Sequence, residues 1–131
     1  GCELHTEESL SGIFSADDLA VDLIIQGRCD LVVLSPAGDL TIIEVKGFRG
    51  SGRALSVEGD TAHWTQAYLY AHLLLESDFA SNREIDTSAV TVKLYYVSFD
   101  DGESFDLSRR LTSEDLSVFY DQTCRRYLEE T

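Results

Sequence analysis

IQGRCDLVVLSPAGDLTIIEVK, residues 25–46, contains two apolar runs separated by Ser35-Pro36-Ala37-Gly38-Asp39. Pro and Gly in that interval supply turn chemistry, so the run ending at Leu34 and the run from Leu40 to Phe48 pair as an antiparallel hairpin. Side chains alternate faces along a strand, which puts Glu44 and Lys46 on one face and turns Ile43 and Val45 into the core. Asp30 lies near the end of the first strand, across the hairpin, and comes within a few ångströms of Glu44 if the register allows it. Two carboxylates and one ammonium then converge.

Upstream, Glu3 to Phe14 and Leu19 to Leu34 read as strands, separated by the polar stop Ser15-Ala16-Asp17-Asp18. Downstream, Gly47 to Gly59 carries four glycines and no apolar periodicity, which predicts a mobile loop. Asp60 or Thr61 caps a helix running to about Glu76, with Trp64, Ala67, Tyr68, Ala71, Leu74 and Leu75 at helical spacing. A polar loop, Ser77 to Ser88, precedes an apolar strand from Ala89 to Phe99. Asp100-Asp101-Gly102 turns that strand into another near Glu103 to Leu107, and Thr112 with Asp115 caps a final amphipathic helix. The order is three strands, helix, two strands, helix, an α/β chain.

With 131 residues and 44% apolar content, the chain fits one domain, 1–131, able to close a core without staples. No apolar run approaches a bilayer span, and no basic-then-apolar leader opens the chain. Cys2, Cys29 and Cys124 are scattered, odd in number and free of CxxC spacing, which suggests neither a disulfide framework nor a zinc or iron-sulfur site and points to a reducing, cytoplasmic compartment. The formal charge of −14 argues against a basic surface that grips phosphates along its whole length. Carboxylates are, however, what hard divalent cations require, and local charge outweighs the sum.

Asp30, Glu44 and Lys46 suit phosphodiester hydrolysis: carboxylates and a backbone carbonyl hold Mg²⁺, which acidifies water, while the lysine steadies charge growing on the phosphoryl oxygens. The simpler reading has Asp30 and Glu44 as exposed strand residues with Lys46 paired across them for a fraction of a kcal/mol. Gln66 and Tyr70 are four apart and His63 is three before Gln66, so the three share one helical face. Lys46, Arg49 and Arg53 form one basic patch in and beside the glycine-rich loop, where a backbone could be gripped, or else they are scattered charges on a surface loop. Trp64 reads as a core anchor, and Arg125 and Arg126 as solvated charges near a helix end.

In three segments the chain resembles the PD-(D/E)XK nuclease superfamily, within it the RecB-like exonuclease branch. Ile25 to Val32 looks like that group's apolar-x-G-R-x-D-apolar strand, Ile42 to Lys46 like its E-x-K strand, and Gln66 to Tyr70 like its Q-x-x-x-Y helix. The stretch His63 to Ala71, with Val92 to Tyr96, is similar to the nuclease module joined to DinG-like helicases. The resemblance implies a restriction-endonuclease-like mixed sheet of about five strands with flanking helices in β-β-β-α-β-β-α order. The leading helix of the family has no counterpart before Glu3, as in a piece of a longer protein. It further implies Asp30, Glu44 and the Val45 carbonyl as ligands of Mg²⁺ or Mn²⁺, with Lys46 catalytic, and Gln66 and Tyr70 holding DNA or orienting the lysine. His63 contacts DNA or serves packing at the helix entry. A first-strand glutamate often joins such sites, and here Glu8 is preferred over Glu7; His5 is given no metal role. The implied activity is a metal-dependent deoxyribonuclease, exonucleolytic on single-stranded ends and working with a helicase in DNA repair or recombination. An inactive module that binds DNA or a helicase partner is the alternative.

Overall fold

A computed structural model of the chain describes residues 1–18, 22–49 and 60–130. Its elements are β1 (Glu3–Phe14), β2 (Leu23–Leu34), β3 (Leu40–Phe48), α1 (Thr61–Leu75), α2 (Asp78–Ser81), β4 (Val90–Ser98), β5 (Ser104–Leu111) and α3 (Ser113–Glu130). The strands form one mixed sheet in the order β1-β2-β3-β4-β5, antiparallel throughout except for the parallel pair β3 and β4. This is an α/β fold with five strands and flanking helices, in the order expected from the sequence. None of the described helices is long and apolar enough to cross a membrane.

The hairpin between β2 and β3 closes as its turn residues dictate. Gly38 takes φ 91°, a left-handed conformation that costs glycine little, and its N–H donates to the Ser35 carbonyl at 3.0 Å. The Ser35 hydroxyl accepts the Asp39 N–H at 3.0 Å. Both long helices start on side-chain caps. Asp60 accepts the N–H groups of Ala62 and His63 at 2.7 and 3.3 Å, and Thr112 and Asp115 exchange two bonds at 3.0 and 3.1 Å, a reciprocal capping box.

α1 lies across one face of the sheet, and α3 packs against α1. Leu10, Val32, Ile42, Val92 and Leu94 from the strands meet Ala67, Ala71 and Leu74 of α1 and Leu116 and Tyr120 of α3 in one core. The covered face of β3 is the one holding Leu40, Ile42 and Glu44, all buried, whereas Val45 is 40% exposed on the other face. The expectation that Ile43 and Val45 point into the core is therefore reversed. Both faces of β3 carry apolar residues, and the position of α1 decides which of them is inside.

Alternation also slips once in β2, which buries Cys29 and then Val32 three residues later. The slip is centred on Asp30, and its neighbour across the sheet, Glu7, takes φ 52°. The β1–β2 ladder pairs Thr6 with Leu31 and Glu8 with Cys29, leaving Glu7 and Asp30 out of register pairing. A left-handed non-glycine residue costs on the order of 1 kcal/mol, so the distortion is held by the packing around it.

Three boundaries differ from the sequence reading. The segment expected as a plain loop contains the one-turn α2, which forms because Phe79 buries itself against the core. β5 extends to Leu111 because it pairs with the full length of β4, from Val90↔Leu111 to Val97↔Ser104. The described part of the second strand begins at Leu23, not Leu19, and residues 19–21 lie outside the described residues. Most of the expected loop, including Arg53, is likewise outside them.

Candidate active site

The pairing of β2 with β3 stops at Leu31↔Ile43, one position short of Asp30 and Glu44. Past that point the Asp30 side chain replaces the missing backbone partner, and its Oδ2 accepts the Val45 N–H at 2.9 Å. The slip in β2 thus swings the Asp30 carboxylate across to β3, where its charge acts on Glu44.

Glu44 is 2% exposed. Its Oε1 is buried with no hydrogen-bond partner among the described residues. Burial, and after it the negative charge of Asp30, push its carboxyl from an ordinary 4.5 up to about 7, while the Lys46 ammonium pulls the other way. Cys29, fully buried beside it, is driven well above the usual thiol range, first by burial and then by the Glu44 charge, so it stays a neutral thiol. A buried carboxylate with an unsatisfied oxygen next to a second carboxylate is an arrangement that a divalent cation stabilises, because one ion neutralises both charges.

Lys46 follows two residues along β3 on the same covered face. Its Nζ donates to Gln66 Oε1 of α1, and Gln66 Nε2 donates to the Tyr70 hydroxyl at 3.2 Å. Lysine therefore gains a fixed position from the helix. Tyr70 in turn lies against Gly27 of β2, where any Cβ would overlap its ring and hydroxyl. The glycine of the G-R-x-D strand and the tyrosine of the Q-x-x-x-Y helix interlock, which sets α1 over the carboxylates.

The remaining candidates have partners of their own or stand at the surface. Glu8 is half-buried opposite Cys29, while Glu7 is exposed. Among the described residues no three or more His, Cys, Asp or Glu side chains gather in a form able to hold a metal ion, so Glu8 does not join Asp30 and Glu44 in such a group. Arg49 is an exposed residue paired with Asp100 at 3.4 Å. Trp64 is a core residue, as expected, with the Arg109 guanidinium 4.1 Å from its ring centroid. His5 packs edge-on against Phe79 at 5.0 Å. Arg125 pairs with Asp18 and Glu129 at the surface.

Two neighbours of the site escaped the sequence reading. One is Cys29, buried against Glu44. The other is Tyr96 of β4, the register partner of Lys46, whose hydroxyl lies 2.9 Å from His63 Nδ1 and accepts the Asp60 N–H at 3.3 Å. The inward parity of Tyr96 with Val92 and Leu94 was readable, but its place beside Lys46 depends on a parallel register that sequence does not carry.

No family model matches the chain, and no curated protein is significantly similar to it. Among solved structures it is similar to the crystal structure of SSO0001, with TM-score 0.51 and 18% identity over 92% of this chain. The match covers 49% of that protein, so this chain spans about half its length. The likeness is one of fold.

Proposed function

We propose that this chain is a metal-dependent nuclease domain of the PD-(D/E)XK type, hydrolysing DNA phosphodiester bonds. The observation that carries the proposal is Glu44: a nearly inaccessible carboxylate with one unpartnered oxygen, next to Asp30 and two residues before a lysine tethered to α1. Packing alone gives no reason to bury such a group, whereas a divalent cation does. Asp30 and Glu44, with the Val45 carbonyl, are the residues that would hold Mg²⁺ or Mn²⁺. The bound ion would supply Lewis acidity and a more acidic water.

The chain's own part in the reaction is positional. Gln66 takes one Lys46 N–H, which leaves the other ammonium protons for an attacking water and for the phosphoryl oxygens as their charge grows. Tyr70 fixes the Gln66 amide so that its oxygen, not its nitrogen, faces the lysine. Burial of Glu44 keeps bulk water from competing for the same oxygens. The substrate is DNA with accessible single-stranded ends, cut in concert with a helicase in repair or recombination. Both the substrate and the helicase come from the motif resemblance.

A second reading is favoured by the charge distribution. Arg49, Arg83, Lys93 and Arg125 are each paired with an acidic side chain, in a chain of net charge −14. On this reading the fold is an inactive module that docks on a helicase partner and leaves the DNA grip to it. Cleavage of single- and double-stranded DNA with Mn²⁺, comparing wild type with Lys46→Ala, separates the two. The nuclease reading expects cleavage that falls by at least about a hundredfold in the variant. Equal rates in both proteins, or DNA retained without cleavage by wild type, refute it.

A further inference from the structure

We propose that Tyr96 is a positioning residue that fixes His63 as a neutral N–H donor beside Lys46, where His63 binds a non-bridging phosphate oxygen of the nucleic-acid strand. The proposal rests on the nuclease reading and extends it to two residues outside the carboxylate-lysine group.

The Tyr96 hydroxyl has two neighbours. Tyr96 is 1% exposed, and its side chain stands on the same covered face as Lys46, its register partner on β3. Its oxygen accepts the Asp60 N–H at 3.3 Å, a group that can only donate. A buried phenolic proton needs an acceptor of its own, and among the described residues the one within reach is His63 Nδ1, at 2.9 Å. A ring nitrogen that accepts this bond bears no proton, so the neutral imidazole carries its proton on Nε2.

The ring is also held in place. Asp60 caps the first turn of α1 through the N–H groups of Ala62 and His63. The His63 and Tyr96 rings lie 5.7 Å apart between centroids, and Tyr96 is itself stacked on Phe105 at 5.1 Å and flanked by Phe48 at 6.5 Å. Rotamer and tautomer are therefore set before any substrate arrives, which removes much of the ordering cost of a contact. His63 is half-buried, and among the described residues Nε2 has no hydrogen-bond partner. The ring stands one helical turn before Gln66, the residue that holds Lys46. A neutral donor beside a fixed ammonium suits a phosphate oxygen next to the one being attacked, since it adds binding without a second buried charge.

The test has two arms. The first is a long-range ¹H–¹⁵N spectrum of the metal-free protein, which reads the tautomer without catalysis. A single Nε2–H form of His63 in wild type that becomes a mixture in Tyr96→Phe supports the proposal. An Nδ1–H form in wild type, or a spectrum unmoved by Tyr96→Phe, overturns it. The second arm measures cleavage of a single-stranded oligothymidylate with Mn²⁺. Tyr96→Phe and His63→Ala should raise KM about three- to tenfold, the value of one neutral hydrogen bond, with kcat little changed. His63→Gln, whose amide N–H takes the place of Nε2–H, should recover most of the loss. KM equal in wild type, Tyr96→Phe and His63→Ala overturns the phosphate contact while leaving the nuclease reading intact. Rates unaffected by Lys46→Ala overturn that reading instead, and an oligonucleotide neither bound nor cut by wild type overturns both.

Discussion

Replacing Glu44 by Gln should stabilise the metal-free protein at pH 8 and abolish its response to divalent cations. In the unfolded chain this carboxyl titrates at an ordinary 4.5, and in the folded protein at about 7. Below 4.5 both states are protonated and the group is neutral to stability. Between 4.5 and 7 the unfolded chain gives up the proton while the folded one keeps it, so stability falls by about 1.4 kcal/mol per pH unit. Above about 7 the loss is complete, at about 3 kcal/mol. Gln keeps the shape and removes the charge but brings an N–H₂ that needs an acceptor, a cost of about 1 kcal/mol. The net gain at pH 8 is then about 1–3 kcal/mol, read as a Tm raised by several degrees. Thermal or urea denaturation with EDTA at pH 4.5 and pH 8 measures it, followed by the same scans with Mn²⁺. Wild type should gain stability from Mn²⁺ at pH 8, and Glu44→Gln should not. A variant destabilised equally at both pH values, or stabilised by Mn²⁺ as strongly as wild type, would refute the account of Glu44.

Three further perturbations probe the surroundings. Gly27→Ala forces a methyl into the Tyr70 ring and should cost about 1–3 kcal/mol in urea denaturation; in a double-mutant cycle with Tyr70→Leu, additive costs would show that the two do not touch. Asp30→Asn can still accept the Val45 N–H, so calorimetry should show Mn²⁺ affinity down by at least about tenfold with Tm almost unchanged. Thr112→Ala removes half of the capping box on α3 and should lower stability by about 1 kcal/mol without altering Mn²⁺ binding.

The sequence was most informative where local chemistry decides the outcome. β1 and β3 run from Glu3 to Phe14 and from Leu40 to Phe48, as expected, because polar or glycine-bearing stops bound both runs. The Ser35–Asp39 turn and the caps at Asp60 and Thr112 were equally plain, since each depends on neighbouring residues alone. Tertiary choices were not legible. Leu40 and Ile42 on one side of β3 and Ile43 and Val45 on the other are equally apolar, and only the covering helix separates core from surface. The slip at Asp30 has no glycine to announce it, yet it swings that carboxylate toward Glu44. Ser108-Arg109-Arg110 hides the end of β5, because backbone pairing with β4 holds the segment in the sheet despite its polar side chains. Of the candidate site, strand alternation across the hairpin marks Asp30, Glu44 and Lys46 and helical spacing marks Gln66 and Tyr70, whereas the bonds joining Lys46 to Gln66 and Gln66 to Tyr70 depend on packing.

The parallel neighbours β3 and β4 carry a consequence for how the molecule matures. Thr41 pairs with Thr91, so an entire crossover containing α1 must close before that ladder can form. The antiparallel meander from β1 to β3 has no such delay, because its turn brings adjacent segments together early. Asp30 and Glu44 can thus meet while the chain is still short, whereas Lys46 acquires its tether to Gln66 only when the crossover docks. A nascent or partly opened molecule would present the two carboxylates first, and the amine would be locked in last.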